Sequence, residues 1–124
     1  MIAAVFIRRL KEGATFDDFI REWEADVGFG VPARVINAPS LSDPRDIISI
    51  GFVDTTRQQF LEFVSRPQPT EQVRHDRIET VIESTSIKNY YEVATEHDFS
   101  GDPRQIPLDS ADSLFSRWRG AAAE

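Results

Sequence analysis

No cysteine occurs in the 124 residues. That removes disulfides, thiolate zinc sites, iron–sulfur clusters and cysteine nucleophiles together, and it fits a cytoplasmic protein. Histidine is nearly as scarce. Two of them, His75 and His97, cannot build a three-histidine metal centre, and no metal site is expected. His97 lies in "TEHDF" between Glu96 and Asp98, where adjacent residues of an extended segment point to opposite sides. Positive charge is also short: 14 Lys and Arg stand against 21 Asp and Glu, for a net charge of −7. Such a surface repels phosphate backbones, and no basic stripe with interleaved aromatics offsets it, so nucleic acid is not an expected partner. No apolar run approaches the ~20 residues needed to span a bilayer. The opening "MIAAVFIRRL" carries its charges after the apolar run rather than before it, unlike a signal peptide, and no membrane partner is expected. GxSxG, a phosphate-cradling glycine loop and HExxH are all missing.

What remains is an ordinary globular composition, 40% hydrophobic and 28% charged, in a chain of single-domain length. "IAAVFIRRL" (Ile2–Leu10) is apolar on both alternating sets, Ile2, Ala4 and Phe6 against Ala3, Val5 and Ile7. It therefore reads as a central strand covered on both faces. Next, Thr15 with Asp18 three residues on forms an N-cap signature. Phe16, Phe19, Ile20, Trp23 and Val27 follow on one helical arc, with Gly28, Gly30 and Pro32 to end it. "ARVINAPSL" (33–41) and "RDIISIGFV" (45–53) read as strands joined by the turn "SDP". Pro39 marks an edge or bulge, and Gly51 a bulge or close backbone approach.

The helical pattern of Phe60, Leu61 and Val64 is interrupted by Pro67 and Pro69. Thr70 can cap a second helix with Val73, Ile78, Val81 and Ile82 on its apolar side. "SIKNYYEVA" (86–94) is the last clear strand. In the tail, Ser110 or Asp112 can cap a short helix bearing Leu114, Phe115 and Trp118. "DPRQI" there echoes the earlier "DPRDI" as turn-then-strand chemistry. The tail is too apolar to be wholly disordered and is expected to dock on its own body or a partner subunit, with residues 121–124 fraying.

The order β-α-β-β-α-β predicts an α+β fold. It is a ferredoxin-like protomer, an antiparallel four-stranded sheet with both helices on one face, over residues 1–99, followed by a tail at 100–124. The strands remain apolar on the second face, which calls for another cover. With its two-faced first strand, the segment "KEGATFDDFIREWEAD" and the final "YYEV", the chain from about Ile2 to Val93 resembles the dimeric α/β-barrel superfamily. The closest resemblance is to antibiotic-biosynthesis-monooxygenase-like and EthD-like proteins. The resemblance implies a homodimer in which two sheets pair into a barrel. It spans cofactor-free oxygenases, haem-degrading enzymes, isomerases and proteins with no known activity, and fold alone does not choose among them.

Each candidate functional residue also has a plainer role open to it. His75 borders the apolar face of the second helix, as a base or ligand, or as a surface-edge ring. Arg74 falls near the centre of that arc, where a guanidinium needs a carboxylate or an anionic ligand. Asn89 and Tyr91 share one face of the last strand and could orient a ligand or pass a proton, or serve as core or interface groups. Arg34 and Asn37 on the second strand are further ligand-binding candidates. No cofactor is required by these residues. Haem stays open because haem-degrading members of the resembled superfamily use a histidine on the second helix, a role His75 could match. Those members also use an asparagine on the first strand and a tryptophan on the third, and here both are missing. Two functional readings result. One is a cofactor-free monooxygenase-like or isomerase-like enzyme for a small hydrophobic metabolite, with His75 as base and Arg74 or Asn89 stabilising the anion. The other is a non-catalytic dimeric binding or interaction module. A cavity in which these polar groups converge separates the first from the second.

Overall fold

A computed structural model describes residues 1–25 and 27–123. It falls into two compact units, Met1–Glu92 and Val93–Glu124. In the first, strand β1 (Ile2–Leu10) leads to helix α1 (Phe16–Trp23). Strands β2 (Ala33–Pro39) and β3 (Asp46–Val53) follow, then helices α2 (Arg57–Val64) and α3 (Pro69–Glu79), and strand β4 (Ile82–Glu92). The strands form one antiparallel sheet in the order β2-β3-β1-β4. This α+β arrangement is compatible with a ferredoxin-like fold. Among the described residues no helix is long and apolar enough to cross a membrane.

β1 is central, as its two apolar faces require. One face packs under the helices, where Leu10, Phe19, Ile47, Ile78 and Ile82 form the buried core with Phe16, Ile20, Trp23 and Val81 against it. Thr15 caps α1 as its spacing predicts. Its hydroxyl accepts from the Asp18 N–H, and the Asp18 carboxylate accepts from the Thr15 N–H. The helix stops at Trp23, earlier than the glycines suggested, and Val27 is exposed.

The largest departure from the sequence pattern lies after α3. The sequence pattern carries a helix from a cap at Thr70 through Ile82. Instead Pro69 occupies the first helical turn, the helix ends at Glu79, and Ile82 already opens β4. Ile82 meets Leu10 across the sheet, so its burial belongs to a strand, and Val73 is exposed. A short run of apolar residues carries no mark of the point where one period gives way to another.

Gly51 has close approach and no bulge. Pairing runs unbroken through it to Ala4 and Val35, and a Cβ there would stand 3.3 Å from a Val35 methyl. The irregularities fall in the β1–β4 pairing, between Ile7 and Arg8 and between Arg9 and Leu10.

The second unit, Val93–Glu124, holds β5 (Glu96–Asp98) paired with β6 (Arg104–Ile106). The echo of "DPRDI" in "DPRQI" is structural: each places an isoleucine, Ile47 or Ile106, in a strand after a turn and buries it. Helix α4 (Leu114–Ala123) is preceded by Ser113, not by Ser110 or Asp112 at its cap. The Ser113 hydroxyl accepts from the Phe115 N–H and donates to Glu96, whose carboxylate also accepts from the Leu114 N–H. Residue 124, at the end expected to fray, lies outside the described residues.

Candidate functional site

The helix-covered face of the sheet is only partly filled. Beyond the core a cavity of about 980 Å³ opens between sheet and helices, at the upper end of what small-molecule sites span. Its floor explains its existence. Ala4, Gly51, Ala33 and Ser49 are small, and they lie side by side across three strands. Trp23, Phe29 and Val31 wall one side, Phe60, Phe63 and Val64 of α2 another, and the first turns of α3 complete it.

Polar groups cluster where β1 meets α3. Arg8 lines the cavity and is 6% exposed. Its guanidinium lies 4.6 Å from the Phe6 ring centre and 5.9 Å from that of Phe19. It donates a long hydrogen bond, 3.4 Å, to the Ser49 hydroxyl, which in turn donates to the Asn37 side-chain oxygen at 2.6 Å. No carboxylate among the described residues comes within ion-pair distance of Arg8. Burial, with Arg74 adding to it, pushes its pKa down to about 10, so it remains a cation at neutral pH.

Arg74 is buried, as its place on the apolar arc requires, and its charge is answered. It donates to both Glu71 carboxylate oxygens, at 3.3 and 2.8 Å, and to the Trp23 carbonyl at 2.7 Å, with its guanidinium 5.0 Å from the Trp23 ring centre. This is the neutralised and hydrogen-bonded state that a buried guanidinium needs.

His75 also lines the cavity. It is half-buried, edge-on to Phe6 at 6.1 Å, with Nε2 3.6 Å from Glu71. Burial lowers its pKa from the ordinary value, and Lys88 and Arg74 lower it further. Glu71 acts in the opposite sense but already serves Arg74. The ring is therefore neutral at pH 7, the form that accepts a proton. Tyr90 stands across the cavity against Phe60 and Phe6 at 4.9 and 6.2 Å, its pKa raised by burial and then by Glu71.

Of the residues singled out in the sequence, His75 and Arg74 meet in the cavity. Asn37 stands one hydrogen bond behind its floor. Tyr91, Asn89 and Arg34 do not join them. Their cross-strand partners are Ala3, Val5 and Phe52, on the opposite face of the sheet from Ala4, Phe6 and Gly51. There the Asn89 amide donates to the Tyr91 hydroxyl at 3.3 Å. Strand alternation separates Asn89 and Tyr91 from Lys88 and Tyr90, and it is the latter pair that lines the cavity. β1 supplies Ala4, Phe6 and Arg8 and β3 supplies Ser49, Gly51 and Val53, with neither the asparagine nor the tryptophan beside His75. Groups of three or more metal-ligating side chains are absent among the described residues. No family model, curated protein or solved structure matches the chain.

Proposed function

We propose that the chain binds a small, largely apolar molecule in this cavity and acts on it without a cofactor, as an enzyme of the dimeric α/β-barrel type with His75 as proton acceptor. The carrying observation is that His75, half-buried and with its pKa held below the ordinary value by that burial, faces a largely apolar cavity of about 980 Å³. Oxygenase-like and isomerase-like reactions of this kind share a first step, removal of a proton from the substrate, and a neutral imidazole beside bound substrate is suited to it. Arg74 and Asn89 are not the groups that stabilise the resulting anion in this reading. Arg74 is engaged by Glu71, and Asn89 lies on the other face.

The test uses a neutral fluorescent probe, N-phenyl-1-naphthylamine. One saturable site per chain is expected in the wild type and none in Ala4→Trp, which places an indole on the cavity floor opposite Gly51. Equal binding by both proteins would remove the reading.

We propose further that the protein is a homodimer joined sheet to sheet. Val5, Ile7, Ile48, Ile50, Phe52, Ile36 and Ile87 share the face away from the cavity by their cross-strand register. Ile36 and Ile87 on it are exposed. A second copy has the matching surface, since twisted sheets of the same curvature pack face to face. Light scattering is expected to give twice the chain mass of 14.1 kDa, and a monomeric mass at micromolar concentration would refute the pairing.

A further inference from the structure

Within the cavity one buried cation stands out because, among the described residues, no carboxylate reaches ion-pair distance of it and Glu79 acts on it only from further away. Arg74 has Glu71, while Lys88 and Arg66 are exposed at their positions. Arg8 is more than nine-tenths buried, yet beside the Phe6 and Phe19 rings the hydrogen bond its guanidinium makes goes to a serine hydroxyl at the edge of hydrogen-bond length. A buried guanidinium with no carboxylate at ion-pair distance is expensive to maintain. Replacing it with an apolar residue of similar length would relieve that cost and give up only the contact of the guanidinium with the Phe6 and Phe19 rings, so packing alone is a weak reason for an arginine here. A ligand does.

We propose that the cavity takes a small monocarboxylic acid with an apolar, aromatic-sized body, its carboxylate seated on Arg8. This rests on the binding reading above and names its ligand class. Three features favour that chemistry. The guanidinium lies close to the Phe6 ring, and its planar fork matches a carboxylate bidentately. Ser49, beside it, is held by Asn37 and fixes one end of the fork. The irregularity in β1–β4 pairing falls between Ile7 and Arg8, where Ser86 is skipped and its hydroxyl donates to the Ile7 carbonyl at 3.3 Å. Such bulges re-aim the neighbouring side chain. One unpaired fork in the floor suits one negative charge. A phosphate would call for more cations at the same spot, and no glycine loop is present to cradle it. The bulk of the cavity, lined by Trp23, Phe60, Phe63 and Val31, suits the apolar body.

The experiment compares 2-naphthoic acid with 2-naphthamide, which has nearly the same shape but no charge, by displacement of N-phenyl-1-naphthylamine at pH 7. The wild type is expected to favour the acid roughly tenfold or more, the scale of a charge-assisted hydrogen-bond pair in a dry site. Arg8→Met is expected to bind the amide as before, lose the preference for the acid, and unfold at a urea concentration no lower than wild type. Lys88→Met is expected to keep the preference. Equal affinity of the wild type for acid and amide would overturn the proposal while leaving the binding reading intact. So would loss of the preference in Lys88→Met with retention in Arg8→Met. Failure of the neutral probe to bind at all would instead bring down the binding reading. If Arg8→Met does not fold, the guanidinium is structural and the proposal is overturned on that ground.

Discussion

Phe19→Ala is expected to lower the unfolding free energy by roughly 3–5 kcal/mol, the range for truncating a fully buried phenylalanine. Phe19 has no exposed surface and sits at the centre of the cluster with Leu10, Ile47, Ile78 and Ile82. The loss is a large fraction of the ~5–15 kcal/mol that holds a domain folded. Urea denaturation followed by circular dichroism measures it through the transition midpoint. The core is confined to one end of the helix-covered face because the other end is cavity, so few neighbours are available to collapse into the space left by the ring. A loss below about 1 kcal/mol would contradict that picture, since a site able to close over the gap is one whose neighbours are mobile.

Glu71→Gln is expected to have two effects that a single measurement would miss. Glu71 receives two hydrogen bonds from buried Arg74 and stands 3.6 Å from His75. Without its charge, Arg74 keeps the Trp23 carbonyl and a neutral amide. A cost of roughly 1–3 kcal/mol follows from leaving a buried charge under-satisfied. The double variant Glu71→Leu with Arg74→Leu should cost less than Glu71→Leu alone, because removing both charges removes the unmet desolvation. The second effect is on His75. Glu71 is the one group acting to raise its pKa against burial, Lys88, Arg74 and Arg8. Removing that charge moves the imidazole titration to still lower pH, which NMR of the ring protons reads directly. The sign carries through to stability. A histidine whose pKa falls on folding contributes stability that is fully present above its unfolded value near 6.5, and loses it as pH falls through the folded value. In Glu71→Gln the acid loss extends to lower pH. A titration that stayed where the wild type has it would mean that the Glu71 carboxylate does not act on the ring.

The framework of the fold was legible because its signals are local. The pattern of Ile2–Leu10 and the Thr15–Asp18 capping box are each complete within ten residues, and the structure has the first as a central strand and the second as a closed capping box. The boundary between α3 and β4 was not legible, since Val81 and Ile82 satisfy a helical arc and a strand equally. The site was half legible. Arg74 and His75 announce themselves by their place on the helical wheel. Arg8 was within reach: it is in phase with Ile2, Ala4 and Phe6, and carrying the alternation two residues further puts a charge on the covered face. Asn89 and Tyr91 were misplaced relative to the cavity for a different reason. Alternation divides a strand into two faces, but it does not say which one the helices will choose when both carry apolar groups.

The Pro67–Gln68–Pro69 break between α2 and α3 has a bearing on how quickly the cavity fills. α2 is short, its Phe60 is buried against Tyr90, and its Leu61, Phe63 and Val64 are exposed. α3, in contrast, is anchored by Ile78 in the core and by Arg74 on the Trp23 carbonyl. Opening at the α2 wall therefore needs only a sub-global fluctuation, far below the free energy of unfolding the sheet. Arrival and departure of a guest would be governed by that wall, and its chemical selectivity by the floor beneath. Substitutions in α2 would then alter residence time while leaving the order of preference among guests untouched.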